Sequence, residues 1–293
     1  MSIQMKALSA VLRVKGLSRT STAENARRQM QRIKTPASPP AAMIITHSVT
    51  RQSIAGFTSY RVTSRNQKPH TTVLYLYGGG YVSEISAPHW ALIGSLADAG
   101  MQVEVPIYGL APRYDHRDAL PFLTAVYQHL TTEDPSTPVA LAGDSAGGAL
   151  ALLLAQTVRD RCMPPPSRLI LISPWLDLSL TNPEIASVER HDPWLSRVAL
   201  DIAARAWSPD RALTHSSVSP LYGELGGLAP TELHIGTHDM LYPDALRFHE
   251  RATAAGSDVE LNTCQAGLHI YPLTPTPEGR AATRSIIESL QSD

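Results

Sequence analysis

The chain has 293 residues and a formal net charge of −1, enough length for one large α/β domain or two small ones with an ample core. That charge balance excludes a general nucleic-acid or acidic-surface binder, which carries a clear basic excess. Two cysteines, Cys162 and Cys264, are too few for a disulfide scaffold, the 11 histidines show no ligand spacing that would call for a metal, and no uninterrupted apolar run of about 18 residues could span a membrane.

The first predicted element is a basic amphipathic helix, in which Lys6, Arg13, Lys15, Arg19, Arg27, Arg28, Arg32 and Lys34 alternate with Leu8, Val11, Leu12, Val14 and Leu17. It lacks the continuous apolar centre of a secretory signal. A helix lying over a pocket is favoured over a transit peptide, and the expected location is the cytoplasm. Pro36-Ala37-Ser38-Pro39-Pro40 then reads as a linker, because consecutive prolines cannot continue a helix. Strands are predicted at 43–49, 58–63, 72–77, 102–107, 138–142, 168–173, 232–236 and 259–263, and helices at 89–99, 120–130, 148–161, 244–255 and 280–291.

Strands such as Leu169-Ile170-Leu171-Ile172 are apolar throughout and alternate with helices, the pattern of a parallel sheet covered on both faces. Eight strands in one sheet suit a single domain over 1–293. The stretch 178–217 breaks the rhythm: it is rich in Trp, Arg and Asp and holds a helical run at 196–207, as an insertion folded over an active site would.

The strongest chemical signal is Gly143-Asp144-Ser145-Ala146-Gly147-Gly148, lying directly between an apolar strand and a helix-forming run. A serine forced into a sharp strand-to-helix turn needs neighbours without bulky side chains, and the helix that follows aims its unpaired N–H groups at a developing oxyanion. Ser145 is therefore the candidate nucleophile. It needs a base, and the base needs a carboxylate to orient it. In the order Ser, acid, His, Asp239 follows the strand ending at Gly236, and His269 follows the strand ending at Thr263. Among the competitors, His234 lies within a strand, His238 falls in the wrong loop, and Asp244 reads as a helix N-cap, kept as the fallback acid. Gly78-Gly79-Gly80, after the third strand, supplies oxyanion donors from Gly79 and Gly80, with Gly78 as a further contributor and Ala146 as the third donor. The alternative of a phosphate loop lacks the following G-K-[ST].

Together these segments resemble the hormone-sensitive-lipase-like family of α/β-hydrolases, and specifically its bacterial carboxylesterases. The resemblance covers about 70–275. It rests on the glycine triplet, Tyr108-Gly109-Leu110-Ala111-Pro112, the serine elbow, Ser173-Pro174-Trp175, Ser219-Pro220-Leu221-Tyr222, Asp239 and His269. It implies an α/β-hydrolase fold, a mostly parallel eight-stranded sheet with helices on both faces and a helical cap from about 1–40 and about 178–217. It also implies cofactor-free hydrolysis of short to medium acyl esters, and the 177–207 region is similar to small-molecule esterases and terpene-lactone hydrolases of the family.

Three positions depart from the family pattern. Tyr77 replaces the usual His before the glycines, Gly109 replaces an Arg, and Met240 replaces the usual Pro after the acid. The expected activity is hydrolysis of a small-molecule ester. An amidase or acyltransferase on the same scaffold, or a receptor that has lost catalysis, are the rivals; retention of Ser145, Asp239 and His269 weighs against the receptor. Trp90, Trp175, Trp194, Trp207 and Tyr81 are candidate pocket or core aromatics. Oligomeric state stays open, a homodimer included.

Overall fold

The computed structural model describes residues 1–19, 22–32, 34 and 37–292. Its centre is an eight-stranded sheet in the order β1-β2-β4-β3-β5-β6-β7-β8. The strands are β1 (His47–Ile54), β2 (Phe57–Ser64), β3 (Thr71–Leu76), β4 (Met101–Ile107), β5 (Val139–Asp144), β6 (Leu169–Ile172), β7 (Thr231–Gly236) and β8 (Val259–Cys264). β1 and β2 pair antiparallel, and β2 meets β4 antiparallel. From β4 to β8 every neighbour is parallel. Every residue of β3, β5, β6 and β7 is buried; β6 is apolar throughout, as a strand covered on both faces should be, whereas β7 buries Glu232 and His234 beside each other. The edge strand β1 shows burial that comes and goes along its length.

The helices are α1 (Ile3–Arg19), α2 (Ala23–Gln31), α3 (Ala41–Thr46), α4 (Ala87–Asp98), α5 (His116–Glu133), α6 (Ala146–Asp160), α7 (Ile185–Glu189), α8 (Arg197–Trp207), α9 (Tyr242–Ala254) and α10 (Pro277–Gln291). α6 is buried almost all round, consistent with its Ala/Leu-rich sequence. α8 instead buries one stripe, Leu200, Ala203, Ala204 and Trp207, at helical spacing. α10 starts where the Thr276 side chain accepts the Gly279 N–H at 3.1 Å, an N-cap bond.

Three predicted elements are corrected. The strand expected at 43–49 begins only at His47, because the residues after Pro40 close a helical turn: the Met43 and Ile44 N–H groups both donate to the Pro40 carbonyl, at 2.9 and 3.2 Å. Met43 alone of α3 is buried, so the apolar run serves a single anchoring turn. The expected basic N-terminal helix is two helices, α1 and α2. Asp244 is not an N-cap: α9 has already begun at Tyr242, and Asp244 is buried in its first turn against Asn182. Of the expected linker, Pro36 lies outside the described residues.

Candidate active site

Ser145 sits at the tip of β5, where the chain reverses into α6 with φ +52° and ψ −120°, a conformation a side-chain-bearing residue rarely takes. The turn is fixed on both sides of the serine. Its N–H donates to the Ile172 carbonyl at 2.9 Å, and its own carbonyl accepts the Trp175 N–H at 2.9 Å. The close approach of helix to strand depends on Gly147, since a Cβ there would lie 2.0 Å from the Leu76 carbonyl oxygen.

Asp239 and His269 come from the loops after β7 and β8 and converge on the serine. Nε2 of His269 lies 3.0 Å from Ser145 Oγ, and Nδ1 lies 2.8 Å from Asp239 Oδ2. With Oδ2 accepting from Nδ1–H, Nε2 is the ring nitrogen left to accept the serine proton. The three side chains are almost sealed, at 7, 3 and 0% exposure for Ser145, His269 and Asp239. Burial pushes the His269 imidazole down, but the charge and hydrogen bond of Asp239, together with Asp192 and Asp144, more than offset it and hold the ring above its ordinary value.

The other Asp239 oxygen accepts the Leu241 N–H at 3.0 Å. His238 and Thr237 bridge to the histidine loop, the His238 N–H donating to the Gly267 carbonyl at 3.0 Å and the Thr237 hydroxyl accepting the Ala266 N–H at 2.8 Å. Beyond His269, the Ile270 N–H donates to the Ser173 hydroxyl at 2.9 Å. His234 stays in its strand beside Glu232 at 3.3 Å, and the His238 ring stacks on His191, so neither joins the serine.

The glycine turn lies against the elbow, where a Cβ on Gly78 would come within 2.9 Å of Ser145 Cβ. Gly79 and Gly80 have φ of +133° and +60°, and their N–H groups, like that of Ala146, meet no acceptor among the described residues. Gly78 differs: its N–H donates to Asp144 Oδ1 at 3.1 Å, so the contribution expected of it is already taken. Asp144 was not singled out from the sequence, yet it ties the turn to the elbow, with Tyr75 donating at 2.5 Å and His89 Nε2 at 3.2 Å. Burial pushes this carboxyl up, but attraction to His89 and the hydrogen bonds from His89, Tyr75 and Gly78 outweigh it and keep it below the usual carboxylate range.

Tyr77 does not hold the turn by its phenol, whose oxygen has no partner among the described residues. Its ring stacks on Tyr108 with centroids 4.6 Å apart, and the Tyr108 phenol donates to the Tyr77 carbonyl at 2.6 Å. Gly109 likewise has a local reason. A Cβ there would come within 2.3 Å of the Tyr114 ring, which occupies the space an arginine stem would need.

The expected aromatics divide. Tyr81, Trp175 and Trp207 are fully buried, Tyr81 stacked on Trp207 at 4.3 Å, and Trp90 packs against Tyr60. Trp194 remains 37% exposed, its ring centroid 6.0 Å from that of His269 in a T-shaped arrangement. A cavity of about 900 Å³ opens beyond the glycine turn, bounded by Tyr77, Tyr108, Leu110, Tyr114, Lys34 and Glu84 among others; Ser145 does not line it. Among the described residues no group of acidic, His and Cys side chains could hold a metal ion, and no helix is long and apolar enough to cross a membrane.

The chain is similar in sequence and fold to known proteins. A family model described as alpha/beta hydrolase fold matches residues 73–273. LipR of Mycobacterium tuberculosis, a provisionally named acetyl-hydrolase, is 34% identical over 242 residues, 79% of this chain and 76% of that protein. An acetyl-hydrolase of Streptomyces hygroscopicus is 31% identical over 217 residues, 72% of each chain. The crystal structure of EstE5 soaked with ethyl alcohol superposes with a TM-score of 0.87 at 25% identity, covering 100% of this chain and 99% of that one. An esterase described as of the bacterial hormone-sensitive lipase family gives 0.85 at 25% identity, covering 100% and 98%. The chain belongs to the α/β-hydrolase-fold family, beside the hormone-sensitive-lipase esterases.

Proposed function

We propose that the protein is a serine carboxylic-ester hydrolase that acts on short to medium acyl esters or lactones of small molecules through an acyl-enzyme. The observation that carries this reading is the continuous relay from Asp239 Oδ2 through His269 to Ser145 Oγ, at 2.8 and 3.0 Å, together with the N–H groups of Gly79, Gly80 and Ala146, which meet no acceptor among the described residues. Relatives named acetyl-hydrolase support a small acyl group.

Ser145 Oγ attacks the ester carbonyl carbon while its proton passes to His269 Nε2. The carbonyl oxygen takes the negative charge and is held by the N–H groups of Gly79, Gly80 and Ala146. Collapse of the intermediate breaks the bond to the alkoxy oxygen, which leaves as the alcohol with the proton from Nε2. Water then gives its proton to Nε2, attacks the acyl carbon, and the acid departs as Oγ recovers the proton. Asp239 stabilises the imidazolium formed in each half.

Residues 1–40 and 178–217 are proposed as the cap over this centre. In support, Met5 of α1 packs with Leu268 and Tyr271, the neighbours of His269, and α2 packs on α8. The 900 Å³ cavity, of a size usual for small-molecule sites, is proposed to take the longer half of the ester.

The test is turnover of p-nitrophenyl acetate beside an anilide, with a fluorophosphonate mapped by mass spectrometry. Ester hydrolysis with label on Ser145 supports the reading. Anilide cleavage of equal efficiency favours an amidase, acyl transfer to added alcohols at the expense of hydrolysis favours an acyltransferase, and absence of both label and turnover leaves a binding protein.

A further inference from the structure

Asp192 lies between α7 and α8, far in sequence from the serine, the histidine and their acid, yet its carboxylate is buried against the Asp239 loop. One oxygen accepts the N–H groups of Trp194 and Leu195, at 2.7 and 3.0 Å, which is an ordinary local turn. The other accepts the N–H of Met240 at 2.8 Å, across 48 positions of sequence.

That second bond exists only because residue 240 is not proline. Where the resembled family has its usual Pro, the ring restricts φ and there is no N–H to donate. Here the residue after the acid is free to rotate, and a carboxylate from another segment grips its amide. We infer that Asp192 is a positioning residue that replaces the proline lock: it fixes the loop presenting Asp239 to His269, and its local turn holds Trp194 in a T-shaped arrangement with the same imidazole.

The placement is electrostatically unfavourable, as a purely local turn residue would have no need to be. Burial and the nearby Asp239 push the Asp192 carboxyl up to about 6, against the opposing pull of His269 and of the Leu195 and Met240 N–H groups. The other titratable and charged groups here are His191, which precedes it and stacks on His238 at 5.2 Å, and Arg13 of α1, which donates to the His191 carbonyl at 3.0 Å.

The inference rests on the esterase reading, and the experiment separates the two. Wild-type turnover of p-nitrophenyl acetate is measured first; if there is none, it is the esterase reading that fails, and hydrogen exchange of residues 237–242 still reports on the lock. Asp192→Asn is the primary variant and Asp192→Ala the second, each made alone and in combination with Met240→Pro. In the Met240 background, the substitutions are expected to lower kcat roughly tenfold with KM within about twofold, and to speed exchange in the loop. In the Met240→Pro background, the same substitutions should cost less than about threefold, because the ring restores the restriction. Removing the negative charge should also move the acid limb of kcat/KM to lower pH by about a few tenths of a unit, since Asp192 favours the imidazolium. Equal losses with and without Met240→Pro would overturn the inference, as would unchanged kcat and exchange in both Asp192 variants. If Asp192→Ala is unfolded by circular dichroism, the near-isosteric Asp192→Asn carries the same comparison.

Discussion

The two halves of the reacting centre are built by different means. On the serine side, close backbone approach does much of the positioning, with Gly147 against Leu76, and the side chains of Asp144 and Tyr108 add to it by tying down the glycine turn and the Tyr77 carbonyl. On the acid–histidine side, long-range side-chain bonds do it, with Ser173 holding Ile270, Thr237 holding Ala266 and Asp192 holding Met240. Backbone contacts require glycines at fixed spacing and so leave a motif. Side-chain bonds between distant segments leave none.

The sharpest way to break this comparison is at the nucleophile. Ser145→Ala removes the attacking oxygen without disturbing the buried turn, and should lower kcat/KM on p-nitrophenyl acetate by roughly 10⁴-fold or more at unchanged Tm. Purified variant retaining a tenth of wild-type turnover would falsify the assignment of Ser145.

Next in size is Gly147→Ala. The added Cβ would sit 2.0 Å from the Leu76 oxygen and 2.5 Å from the Tyr77 oxygen, both backbone atoms that cannot swing aside. The expected cost is about 3 kcal/mol or more in denaturant unfolding, with kcat reduced because elbow and glycine turn must separate. A variant as stable as the wild type would show that the serine side is less tightly made than its close approaches imply.

This contrast also explains what could be read from the chain. The sheet, α6, Ser145, Asp239, His269 and the glycine turn were legible because each depends on local pattern: apolar strands, a glycine-flanked serine, and loops in the expected order. The expected strand over 43–49 takes in the second half of α3 because Ile44-Ile45-Thr46 is a β-branched run, while the Pro40 carbonyl that closes the helical turn acts only in three dimensions. Asp144 was visible inside the elbow motif, but its role needs Tyr75 and His89 from other elements. Asp192 carried no sequence signal except the missing proline at Met240.

A smaller effect tests the electrostatics of the acid–histidine side. His269 must be neutral to take the serine proton, and Asp239, Asp192 and Asp144 hold its imidazole above the ordinary range. Sign follows directly: a raised value means the ring stays protonated to higher pH. The acid limb of kcat/KM should therefore have its midpoint above about 6.5, with rate falling tenfold per pH unit below it. A midpoint near 5 would indicate that the desolvation of His269 outweighs its acidic neighbours.

The smallest effect is expected at Tyr77, the replacement for the family's histidine. Because the donors of the glycine turn are main-chain groups, residue 77 can act on them only through its own backbone or its packing. Its carbonyl is held by the Tyr108 phenol at 2.6 Å, and its ring by stacking on Tyr108, whereas its own hydroxyl is buried without a partner among the described residues. Tyr77→Phe keeps both supports and removes an unsatisfied polar group, so kcat should stay within about twofold and Tm should hold or rise slightly. Tyr108→Phe removes the bond to the carbonyl and should lower kcat about three- to tenfold, since one hydrogen bond of about 1 kcal/mol is lost at the turn. If the two phenylalanine variants behaved in the reverse order, the phenol of Tyr77 would be anchoring the turn after all, and the serine side would rely on side-chain bonds as much as the acid–histidine side does.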